Sequence, residues 1–111
     1  MKPVITPAQV QHLYAQNQLG LHRYAKAPAL CDRHMCSGVD IWGGGRVVYL
    51  AAAPRTDFAV IVFRTPKDAA RIAGLYRPAV AVGAERRENA VLIYLRSAKT
   101  RLAIVRRIFH A

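Results

Sequence analysis

Acidic residues are scarce in this chain. Six Asp and Glu stand against 17 Lys and Arg in 111 residues, a formal net charge of +11 with a sequence pI of about 10.7. Chemistry that needs paired carboxylates is poorly provided for. Asp57, Asp68, Glu85 and Glu88 fall at predicted turns or helix starts, where structure already accounts for them. Long apolar runs are missing too. The longest, Val47 to Ala53 and Phe58 to Phe63, are far too short to cross a bilayer. The opening MKPVITPAQVQHLY lacks the charged start and apolar core of a signal peptide. A soluble, cytoplasmic protein without a membrane partner is therefore expected. Cysteine is limited to Cys31 and Cys36. In a reducing compartment these read as thiols or metal ligands before they read as a structural disulfide.

Known signatures are absent as well. The glycine runs fit neither the phosphate loop nor the dinucleotide fingerprint. There are no ribonucleoprotein aromatics, no GxxG clamp and no paired Cys/His finger. The expectation is a protein that is not an enzyme and carries no cofactor. The catalytic alternative is a metal-independent ribonuclease using His34 or His110, with arginines stabilising the phosphorane.

What is present is apolar mass and arginine. Hydrophobic residues make up 53% of the chain, enough to build one core, so residues 1–111 are read as a single domain. Of the 17 cations, 13 are Arg and four are Lys. Arginine suits bidentate contact with phosphate and stacking on bases, although GC-rich coding also enriches Ala and Arg. A charge of this size repels itself, so an anionic partner would explain it.

Residues 46–77 and 78–109 read as one pattern written twice at an offset of 32. Seven positions are identical: Val48/Val80, Ala52/Ala84, Arg55/Arg87, Ile61/Ile93, Arg64/Arg96, Lys67/Lys99 and Ile72/Ile104. Each copy reads as strand, turn, strand, helix. In the first, Arg46 to Ala52 and Phe58 to Phe63 flank a turn at Pro54-Arg55-Thr56-Asp57. Thr65-Pro66-Lys67-Asp68 then opens a helix with face Ala69, Ile72, Ala73 and Tyr76. In the second, Ala79 to Ala84 and Ala90 to Leu95 flank Glu85-Arg86-Arg87-Glu88. Ser97 is expected to cap a helix with face Leu102, Val105, Ile108 and Phe109. Ahead of the repeat, Thr6-Pro7-Ala8-Gln9 starts a helix that carries no charged residue, with Gly20 as its expected C′ residue. Residues 21–45 read as a long irregular segment.

The predicted fold is α+β. A four-stranded sheet from a tandem ββα repeat (46–77, then 78–111) carries two helices on one face, and an N-terminal helix and loop (1–45) add to it. The strands AVIVF and AVLIYL are apolar at every position, so both their faces should be covered. With two repeat helices on one side, the other calls for a second copy, a protein partner or residues 1–45.

Two functional readings follow. In the first, the protein binds nucleic acid, DNA or RNA, and is dimeric. Arg64, Lys67, Arg96 and Lys99 would form two anion sites at helix starts. Arg55, Arg86 and Arg87 would extend them from hairpin tips, and Arg101, Arg106 and Arg107 from the last helix. In the second, it is a protein-binding module, such as an accessory or inhibitor of a phage or mobile element. It would dock through Leu13 and Tyr14 of the first helix, the sheet face, or Trp42 on its glycine-rich loop. Cys31, His34 and Cys36, with His12 or His22 as a fourth ligand, are the candidates for zinc, though their spacing matches no standard finger.

Overall fold

A computed structural model describes residues 5–24, 48–53, 56–76 and 82–111, apart from the side chains at 75, 76 and 100. Three helices and five strands lie in these residues: α1 (Pro7–Ala15), β1 (His22–Tyr24), β2 (Val48–Ala51), β3 (Phe58–Val62), α2 (Pro66–Tyr76), β4 (Val82–Arg87), β5 (Ala90–Leu95) and α3 (Lys99–Phe109). The α+β class agrees with the sequence. The sheet has five antiparallel strands in the order β1-β2-β3-β5-β4, one more than expected. The added strand, β1, pairs His22 with Ala51 and Tyr24 with Tyr49. Its three residues are too few to show a period. No described helix is long and apolar enough to cross a membrane.

The helices divide between the two faces. α2 lies over β4 and β5, and its Ala69 and Ile72 join Tyr49, Ile61, Phe63, Val82 and Ile93 in one core. α1 and α3 pack together on the other face. There Val10, Tyr14, Val105, Ile108 and Phe109 meet Leu50, Phe58, Val60, Leu92 and Tyr94. The expectation of two repeat helices on one face is thus overturned. The all-apolar strands β3 and β5 are nevertheless buried on both sides, as their sequence requires. Val60 and Leu92, cross-strand partners at the sheet's centre, are both 0% exposed. Each contributes about 1.5–3 kcal/mol of burial. Both faces are filled within the chain, so the argument for a second copy over a bare sheet loses its premise.

Register shows that the two stretches of like sequence are not related by symmetry in the fold. Carried forward by 32, the Leu50–Val60 pair would set Val82 opposite Leu92, but Val82 lies opposite Leu95. A slip of three is odd, so it turns every β4 side chain to the opposite face. Leu50 faces α1 and α3, whereas Val82 faces α2. The cause is the second hairpin's tight turn. Arg87 pairs with Ala90, leaving only Glu88 and Asn89 between them, and Glu88 takes φ 54°. Asn89 is fully buried. It accepts from the Ile5 N–H (2.7 Å) and donates to the carbonyls of Ile5 and Phe63 (2.8 Å each). The predicted turn at Glu85–Glu88 is corrected accordingly, since Glu85, Arg86 and Arg87 belong to β4.

The helix starts follow the sequence in two of three cases. Thr6 and Gln9 exchange side chain–backbone bonds in a capping box, with Pro7 next in line. Thr65 Oγ1 accepts the Asp68 N–H at the start of α2. For α3, Ala98 is the N-cap and supplies no side-chain bond, so Ser97 does not cap. Gly20 is not the stop of α1. The chain leaves the helix through Gln16–Gln18, where Gln18 takes φ 64° and the Leu19 N–H reaches the Tyr14 carbonyl.

Candidate nucleic-acid interface

Residues 96–111 contain Arg96, Lys99, Arg101, Arg106 and Arg107 and no Asp or Glu. The helix within this stretch buries a narrow stripe of Val105, Ile108 and Phe109, with Leu102 half-buried. Lys99, Arg101, Ala103, Ile104, Arg106 and Arg107 are therefore exposed. Lys99, Ala103 and Arg107, four residues apart, fall in one row along the helix. At 1.5 Å per residue the two cations stand about 12 Å apart.

The cations differ in how far the fold engages them. Arg101 Nε lies 3.5 Å from Asp57 Oδ1, a buried oxygen with no hydrogen bond among the described residues, and its guanidinium sits 5.4 Å from the Phe58 ring centroid. Arg106 is ion-paired to Glu85. Arg96 is exposed and interacts with a neighbour. Lys99 and Arg107 make no hydrogen bond or ion pair with the described residues, and their charges point outward.

Glu85 anchors the end of α3. Besides Arg106, it receives the Tyr94 hydroxyl at 3.0 Å and His110 Nε2 at 2.7 Å. Burial pushes its carboxyl up, but the bonds from His110, Tyr94 and Arg106 outweigh burial and leave the pKa below the ordinary 4.5. Burial, reinforced by Glu85, pushes the Tyr94 phenol up. Gly83 lies across from Tyr94, and a Cβ built there would stand 2.5 Å from the ring's Cε2. Only glycine leaves the ring its place. Tyr14, wholly buried, donates to the Val105 carbonyl at 3.1 Å, and burial drives its phenol strongly upward.

The two predicted anion sites do not come together. β3 and β5 run antiparallel, so the helices that follow them start at opposite ends of the sheet and on opposite faces. Arg64 and Lys67 are exposed at the α2 start. That helix end has its own anion, because the Asp68 carboxylate takes the Thr65 hydroxyl at 3.0 Å. At the α3 start, Thr100 stands where the first unit has Asp68, so neither a side-chain cap nor an acid is present in the first turn. Arg86 and Arg87 lie in the strand and not at a hairpin tip. Arg86 Nη1 donates to the Glu88 carbonyl (3.0 Å) and Arg87 Nη1 to the Phe109 carbonyl (3.1 Å).

Of the docking residues, Tyr14 is excluded by burial. Leu13 is half-buried and lines a groove of about 410 Å³ with Val10, Ala90 and Phe109. Arg55, Trp42 and the zinc candidates Cys31, His34 and Cys36 lie outside the described residues. Sequence reasoning missed the Glu85 network and the Asn89 latch, because both depend on the three-residue slip of β4. The Tyr94–Gly83 contact had one signal, a glycine inside an otherwise regular strand. The chain matches no family model, no curated protein and no solved structure.

Proposed function

We propose that this protein binds nucleic acid by holding phosphates along the outward face of α3. The observation that supports this reading is the acid-free stretch 96–111, whose cations the fold turns outward. Lys99 and Arg107 make no ion pair with the described residues, Arg96 flanks them, and Arg101 and Arg106 add field from ion-paired positions. The uncapped α3 start adds backbone N–H groups to the same surface. Arg64 and Lys67 lie on the other face and take no part in this site. The role is binding and not catalysis, and it belongs in the cytoplasm, where nucleic acid is at hand.

Anisotropy of labelled DNA and RNA, titrated with protein at rising salt, tests the reading. Affinity should fall linearly with log salt, and the slope reports the phosphates engaged. Lys99→Ala or Arg107→Ala should each reduce that slope by about 0.7–0.9. Arg64→Ala and Lys67→Ala should leave it unchanged. Equal losses from both pairs would mean a diffuse charge effect with no site on α3. Absence of binding near 50 mM salt would dismiss nucleic acid. Protein docking at the Leu13 groove would then become the better account.

A further inference from the structure

Ile104 is the one large hydrophobic side chain left exposed among the described residues, at 46%. Its counterpart in the repeat, Ile72, is 1% exposed under α2. The same residue at the same repeat position thus serves a core in one helix and meets solvent in the other. Along the row Lys99–Ala103–Arg107 a cation stands toward each end with the exposed Ala103 between them; Ile104 lies beside Ala103, and the exposed, ion-paired Arg101 and Arg106 lie off this row. α1, which packs beside α3, carries no charged residue that would repel a phosphate.

Resting on the reading above, we infer that the ligand of α3 is B-form duplex DNA, with the helix lodged in the major groove. The groove is about 12 Å wide and admits a helix. Lys99 and Arg107 lie about 12 Å apart along the helix axis, so each end of a helix lodged in the groove carries a long cationic side chain that can reach back to a flanking phosphate. Ala103 and Ile104 have no hydrogen-bonding side chain. What they fit in that groove is the thymine methyl group. The major groove of A-form RNA is too deep and narrow for this approach. Single strands are held on aromatic platforms, and no aromatic side chain of α3 is exposed: its Phe109 is 3% exposed and inside the core.

The experiment is anisotropy at about 150 mM salt with one short thymine-containing sequence prepared as duplex DNA, duplex RNA, single-stranded DNA and duplex DNA with uracil for thymine. Duplex DNA should bind at least about tenfold more tightly than duplex RNA. Uracil substitution should weaken binding to wild type more than binding to Ile104→Ala, which keeps only the smaller Ala103 contact, with the salt slope unchanged in both. Circular dichroism confirms that Ile104→Ala remains folded. Equal affinity for all four nucleic acids would overturn the groove assignment and leave phosphate binding intact. So would an Ile104→Ala protein whose loss of affinity on uracil substitution equals that of wild type. Failure to bind any of them, at this salt or near 50 mM, would remove the phosphate reading as well.

Discussion

Gly83 and Tyr94 show how much one missing side chain can decide. The Tyr94 ring crosses from β5 over its β4 partner and delivers its hydroxyl to Glu85, a path open because residue 83 has no Cβ. Gly83→Ala should therefore destabilise the fold although alanine suits a strand better than glycine does. The 2.5 Å approach is to a ring, which must swing away and release Glu85. Alanine should cost about 1–3 kcal/mol in urea denaturation, the range expected for overpacking. In a Tyr94→Ser background the same change should be neutral or slightly stabilising, because the ring is gone. A double-mutant cycle measures the difference. An equal cost in both backgrounds would place the strain elsewhere.

At the scale of elements, α3 is secured at its far end by a carboxylate. The last turn reaches Glu85 of β4 through Arg106 and His110. Glu85 has a folded pKa below its ordinary 4.5. Its stabilising contribution is thus complete above pH 4.5 and is lost as pH falls through the lower folded value. Denaturation midpoints measured from pH 6 to pH 3 should decline for wild type, and Glu85→Gln should flatten part of that decline. Superimposable profiles would show that this carboxylate is not coupled to folding. The elements themselves were largely legible in the residues. The Thr6/Gln9 capping box, the Thr65 start and the apolar stripe Leu102–Val105–Ile108–Phe109 are short-range patterns, and each element appears where its pattern lies. Which face each helix covers was not legible, because the local pattern of a helix does not say on which side of the sheet the chain carries it after the strand. The candidate site was half legible for the same reason. The cations of α3 were visible as a run, but their separation from Arg64 and Lys67 depends on strand direction and on the helices taking opposite faces.

For the whole molecule, a charge of +11 is carried by a fold whose two faces are already filled from within. Charge of this size opposes the compact state. Lys99 adds a local cost, since it places a cation in the first turn of α3 against the helix dipole, with no side-chain cap and no acid in that turn. Lys99→Glu removes both penalties. It lowers the formal net charge from +11 to +9 and puts an acid where the helix end favours one. Stability should rise by about 0.3–1 kcal/mol, a gain of a few degrees in Tm for a domain of this size. Nucleic-acid affinity should fall more steeply than with Lys99→Ala, because a phosphate would now meet a carboxylate. Opposite movement of the two quantities is what a residue kept for binding at the expense of stability should show. A higher Tm with unchanged affinity would mean that α3 is not the contact surface. An unchanged Tm would mean that the charge of Lys99 costs the fold nothing.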